Sequence, residues 1–135
     1  MKRLIIDIDD TLCHTFEGKY SDACIIDPIK KKIIIYKNAG FEIVLYSSRN
    51  VKTYDGNIGK ITAHTVPALV EWLDRAGIPY DEIYMGKPWC GTDGFYVDDK
   101  AIRPSEFLIY DYDEIKQLLN DSAEVLSDFG KIDLK

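Results

Sequence analysis

The sequence predicts an α/β fold built on a mostly parallel sheet. Three observations carry that expectation. Apolar runs at 4–6, 41–46 and 94–97 are short and bounded by polar residues, as buried strands are. Segments of helical length lie between them, and a strand–helix–strand of this size closes with one hand into parallel neighbours. Two of the runs end in acids: Asp7, Asp9 and Asp10 after the first, Asp98 and Asp99 after the third. Ligand sites of open α/β sheets lie at that carboxyl end.

Size and composition agree. A chain of 135 residues, 46% hydrophobic and 30% charged, fits one globular domain with one core over 1–135. A net charge of −6 gives no basic field, so neither nucleic acid nor an anionic membrane is an expected partner. No apolar run could span a bilayer. Asp7 cuts the run after Lys2-Arg3 too early for a secretory leader. Cys13, Cys24 and Cys90 are odd in number and irregularly spaced. Reduced thiols in a cytoplasmic protein are expected, not disulfides or a zinc site.

The first strand holds Leu4, Ile5, Ile6 and Ile8, apolar on both faces. Alternation puts Asp7 and Asp9 roughly on one side and Asp10 elsewhere. Two carboxylates at the end of a buried strand raise each other's proton affinity, and a bound divalent cation reverses that. The run therefore predicts a hard metal, Mg²⁺. Residues 13–26 read as a loop with a small hairpin around Glu17-Gly18-Lys19. His14 there is a candidate acid or base against the simpler reading of a solvated side chain.

Pro28 to Ala39 reads as a helix, with Asp27 as N-cap, Ile29, Ile33 and Ile34 on its buried stripe and Gly40 as its stop. Residues 41–46 form the second strand, which delivers Ser47 beside Asp7. A serine hydroxyl there can donate to a phosphate oxygen; Ser48 is the alternative, one residue off. Arg49 can meet a phosphate or pair with a carboxylate. Residues 50–64 read as a long polar loop, whose length leans towards function. Asn50, Lys52, Lys60 and His64 are its candidate substrate contacts, each against solvent exposure. A helix follows, capped by Thr65 or Thr62, with Val66, Leu69, Val70, Trp72 and Leu73 inward and Gly77 at its end. Trp72 on that stripe is core.

Residues 82–85 form a short strand, then Gly86-Lys87-Pro88-Trp89. A lysine between Gly and Pro has little backbone freedom, and its ammonium suits phosphate or a nucleophilic carboxylate. Trp89 is a stacking or gating group at the mouth, or rim packing. The third apolar run repeats the opening construction and ends in Asp98-Asp99. A helix is expected from Asp113 to about Asn120.

Asp7-x-Asp9-x-Thr11, Ser47, Lys87 and Asp98-Asp99 resemble, in order, the four motifs of the haloacid dehalogenase-like (HAD) superfamily. The stretches 54–60, 86–89 and 95–104 resemble its small phosphatases labelled as bacterial capsule biosynthesis proteins. Ser47 stands where Thr is commoner, and the fourth motif lacks the longer Gly-Asp form. The resemblance implies a Rossmann-like three-layer domain without a large cap, with 13–26 as flap. It implies Mg²⁺ held by Asp7, the Asp9 carbonyl and Asp98, with Asp99 ligating through water or orienting Lys87. Asp7 would be the nucleophile and Asp9 the acid–base, with Lys87 and Ser47 stabilising the charge. The substrate would be a small phosphorylated metabolite: a sugar, polyol or amino-alcohol phosphate. A homo-oligomer could close the open site. The competing readings are a phosphotransferase of the same fold, a receiver-like domain and a non-catalytic Mg²⁺ or phosphate binder. A receiver is disfavoured because Lys87 precedes the last acidic pair.

Overall fold

The parallel sheet expected from the apolar runs is present in the computed structural model, which describes residues 2–16, 19–87, 93, 96–98 and 100–130. The chain divides into two units, Met1–Gly91 and Thr92–Lys135. It is an α/β, Rossmann-like fold.

In the first unit β1 is Arg3–Asp7, β2 Cys13–Phe16, β3 Lys19–Ile25, α1 Asp27–Asn38 and β4 Glu42–Ser47. Then come α2 Ile58–His64, α3 Val66–Ala76 and β5 Glu82–Met85. The three parallel strands stand in the order β1-β4-β5. Their register sets Asp7 opposite Tyr46 and Ser47 opposite Met85, so all three strands end at one level. Two further bonds extend the ladders past the strand ends. Ile8 N–H donates to Tyr46 O at 3.1 Å and Gly86 N–H to Ser47 O at 3.0 Å.

The core lies between this sheet and the helices. Ile43, Val44 and Leu45 of β4 are buried, as are Ile29, Ile33 and Tyr36 of α1 and Leu69, Trp72 and Leu73 of α3. Each such Leu or Ile contributes about 1.5–3 kcal/mol by leaving water. The central strand is apolar and buried over Ile43–Leu45 because it is covered there; β1 is less covered. Ile5 is 58% exposed, which corrects the expectation of a strand buried on both faces.

Local signals explain most boundaries. Helix α1 starts one residue earlier than expected. The Ile26 carbonyl accepts from Ile29 and Lys30, so Ile26 is the N-cap and Asp27 sits in the first turn without a capping bond. Ile34 faces outward, because the 29–33–36 spacing fixes the stripe one step away. Helix α3 ends at Gly77, whose φ of +70° is left-handed.

The 13–26 segment is an antiparallel hairpin of β2 and β3; the turn residues Glu17 and Gly18 lie outside the described residues. A turn at 8–13, with Asp10 at φ +61°, swings the chain from the sheet into it. The 50–64 loop is also corrected: its second half is α2. Asn57 caps it, its Oδ1 accepting from Lys60 N–H at 3.1 Å. The glycines around Asn57 obscured this cap, since Gly56 and Gly59 read as loop.

In the second unit α4 is Pro104–Ile109 and α5 Tyr112–Gly130. The expected helix from Asp113 thus runs further in both directions. Its start is a reciprocal capping box: Asp111 N–H donates to Glu114 Oε1 at 3.0 Å and Glu114 N–H to Asp111 Oδ1 at 2.8 Å. Of the run expected as a strand at 94–97, Tyr96 and Val97 are described. Neither is in a strand, and Val97 is 88% exposed. Aromatic and β-branched residues favour a strand only where a ladder and a packed face receive them. Among the described residues, no helix is long and apolar enough to cross a membrane.

Candidate active site

The parallel register brings Asp7, Asp9, Ser47 and Lys87 to one end of the sheet. Asp7 is the last residue of β1 and Ser47 the last of β4. Lys87 follows β5 after Gly86, whose φ of +111° turns the chain there. The Lys87 ammonium lies 3.4 Å from Asp7 Oδ2 and 4.7 Å from the centre of the Tyr46 ring. Thr11 Oγ1 donates to the same Asp7 oxygen at 3.5 Å. Burial pushes the Asp7 carboxyl above its ordinary range, with Lys87 working against the shift and Asp9 adding to it.

Asp9 is gripped from three sides. Arg49 Nε donates to both its oxygens, at 2.9 and 3.0 Å. Thr15 Oγ1 donates to Oδ1 at 2.8 Å and Ser47 Oγ to Oδ2 at 3.3 Å. Arg49 is 3% exposed. Its guanidinium carbon lies 4.6 Å from the Tyr20 ring centre and 5.8 Å from that of Trp72. Its Nη2 approaches Cys13 Sγ at 3.9 Å. Arg49 N–H also donates to Ser47 Oγ at 3.0 Å, a serine turn that fixes how the chain leaves β4. Burial pushes the Cys13 thiol up, which disfavours its thiolate.

Arg49 therefore pairs with a carboxylate, one of its two expected partners. Ser47, the favoured hydroxyl, is the one against Asp9; Ser48 is half-buried and its carbonyl closes a turn with Val51 N–H. Asn50 holds the loop: at φ +59° its Oδ1 accepts from Thr65 Oγ1 at 2.8 Å. Thr65 precedes α3 as expected, but that bond takes its hydroxyl, and it makes no capping bond. Lys52, Lys60, His64 and His14 are exposed. Trp89 and Asp99 lie outside the described residues. Asp98 belongs to the second unit, is exposed, and accepts from Lys100 N–H at 2.9 Å.

Tyr20, Thr15 and Trp72 were not singled out for the site. Thr15 and Tyr20 lie on the hairpin, where no short-range pattern announces a partner. Trp72 is core as expected, yet its indole N–H donates to Ala23 O of β3 at 3.1 Å.

Among the described residues, no group of three His, Cys, Asp or Glu side chains could hold a metal. Both Asp9 oxygens are engaged, which leaves that residue its main-chain carbonyl. The Asp7 carboxylate is different: burial, with Asp9 adding to it, leaves its carboxyl raised despite Lys87, and an adjoining cation suits it.

A crystal structure of a target protein from Vibrio cholerae superposes with a TM-score of 0.87 at 48% identity, covering 90% of this chain and 99% of that one. The chain belongs to the family of that Vibrio cholerae protein. Structures of the Pnkp1/Rnl/Hen1 complex and of the Pnkp1/Rnl/Hen1 RNA repair complex match at 19% identity, with TM-scores of 0.46 and 0.43. They are covered over 34% and 31% of their chains, against 81% and 79% of this one. No protein-family model and no curated protein matches the chain.

Proposed function

We propose that the protein is a Mg²⁺-dependent phosphomonoester phosphatase of the HAD kind, acting through an aspartyl phosphate on Asp7. The carrying observation is the Asp7–Lys87 pair, with Asp9 and Ser47, at the common end of three parallel strands. A half-buried carboxylate beside an ammonium is a nucleophile placed next to a charge that can receive a phosphoryl group.

Asp7 attacks phosphorus and displaces the alcohol, which takes a proton from Asp9. Asp9 then removes a proton from the water that attacks the aspartyl phosphate, which frees inorganic phosphate and restores Asp7. Lys87 offsets charge on the phosphoryl oxygens, and Ser47 does so by turning its hydroxyl from Asp9 to the substrate. Mg²⁺ would be held by Asp7 and the Asp9 carbonyl, with Asp98 and Asp99 added on the motif match, and would neutralise the phosphoryl charge. The substrate class that suits an acidic chain with a few local cations is a small phosphate monoester. Sugar, polyol and amino-alcohol phosphates of surface polysaccharide synthesis come first in a screen.

The test is release of phosphate from p-nitrophenyl phosphate and a panel of such esters, with Mg²⁺ and with chelator. Turnover that needs the metal and disappears in Asp7→Asn supports the reading. Metal-dependent turnover surviving in Asp7→Asn overturns the covalent route. No release from any ester would leave a binding domain.

A further inference from the structure

The 13–25 hairpin is tied to the acid–base carboxylate by contacts that no strand-end motif explains. Thr15 donates to Asp9 directly at 2.8 Å. Tyr20 reaches it at one remove: its ring covers the Arg49 guanidinium at 4.6 Å, and Arg49 grips both Asp9 oxygens. The ring thus lies on the residue by which the chain leaves β4. Trp72 lies on the other aromatic contact of the same guanidinium and anchors the hairpin through Ala23 O.

A buried guanidinium bound through one N–H to two oxygens can pivot about that bond. An aromatic ring over its face limits the pivot and attracts the cation. Asp9 inherits the orientation. A carboxyl that must reach a leaving oxygen within hydrogen-bond distance loses efficiency steeply when it turns away.

We propose that Arg49 is a positioning residue for Asp9 and that Tyr20, acting through Arg49, couples the hairpin to the acid–base step. This rests on the phosphatase reading above. Its signature is not lower activity in general but a dependence on the leaving group. An alkyl alcohol needs a proton as it departs; p-nitrophenolate does not. kcat/KM, which includes the departure step, is therefore compared for an alkyl phosphate and for p-nitrophenyl phosphate.

In Tyr20→Ala the alkyl-to-aryl ratio should fall about tenfold, a fraction of the roughly 10²–10⁴ that a placed acid supplies. Tyr20→Phe keeps the ring and should recover most of the loss. Arg49→Lys, a compact charge without the planar fork, should lower the ratio at least as far as Tyr20→Ala. If Tyr20→Ala, folded by circular dichroism, lowers both esters equally, the coupling is wrong and the ring is only packing. If the unaltered protein hydrolyses neither ester, the phosphatase reading falls and this inference falls with it.

Discussion

Lys87 and Asp7 sit 3.4 Å apart although 80 positions separate them. Two parallel pairings produce that approach: β1 on β4 and β4 on β5, each ending level with the next. The ammonium is mostly buried and also lies against the Tyr46 ring, which holds it in a low-dielectric site where its charge acts strongly on its neighbours.

Replacing Lys87 by Met keeps the stem and removes the charge. We expect kcat on p-nitrophenyl phosphate to fall by about 10²–10³, the range for losing one preorganised charge-stabilising donor. Retained activity within threefold would remove Lys87 from the reaction.

Asp7 should make folding depend on pH in a particular direction. Its carboxyl is raised, by burial first, with Lys87 opposing. The folded chain therefore holds that proton more tightly than the unfolded chain. The stabilising contribution is complete below the ordinary carboxylate pKa and is lost as pH rises through the higher folded value. At neutral pH, without metal, the ionised carboxylate is a net burden. Asp7→Asn should raise Tm by a few degrees at about pH 7 in chelator, with the gain closing as pH falls towards about 4. A variant less stable than the parent at neutral pH would show that Lys87 outweighs burial.

Arg49→Met should cost more than a surface pair would. The guanidinium is buried, and its loss leaves Asp9 without its cationic partner. Breaking such a pair typically costs about 3–5 kcal/mol; Asp9 retains some contact with water, so about 2–4 kcal/mol is expected. Urea denaturation reads this as a lower midpoint at unchanged slope.

Gly86→Ala tests how the lysine is aimed. At φ +111° an L side chain is strained, and a Cβ would lie 3.5 Å from Ile58 Cδ1. The expected cost is about 1–3 kcal/mol. A loss of kcat larger than the stability change explains would show that the turn sets the position of Lys87.

How much of this was legible in the sequence depended on range. Asp7, Ser47 and Lys87 could be placed because each follows an apolar run, and a crossover of helical length makes such ends neighbours. Asn57 was hidden between glycines that read as loop. The capping box at Asp111 and Glu114 is a spacing that marks the start of α5, whereas the turns after Asn120 carry no stop or start signal. Val97 is β-branched and follows an aromatic, yet propensity carries no information about whether a ladder partner is available. Tyr20 and Thr15 escaped notice because their partners, Arg49 and Asp9, lie across a fold that no local pattern encodes.

The level ends of β1, β4 and β5 work as a vernier. Sliding β4 by one position would turn Ser47 to the opposite side of the sheet and carry Arg49 with it, while the apolar run of that strand would still find grease on either side. Chains trapped in such an offset would be nearly as compact as the native ones but catalytically silent. Specific activity per folded molecule would then gauge alignment fidelity after refolding, a quantity that spectroscopic probes of helix and strand content would miss.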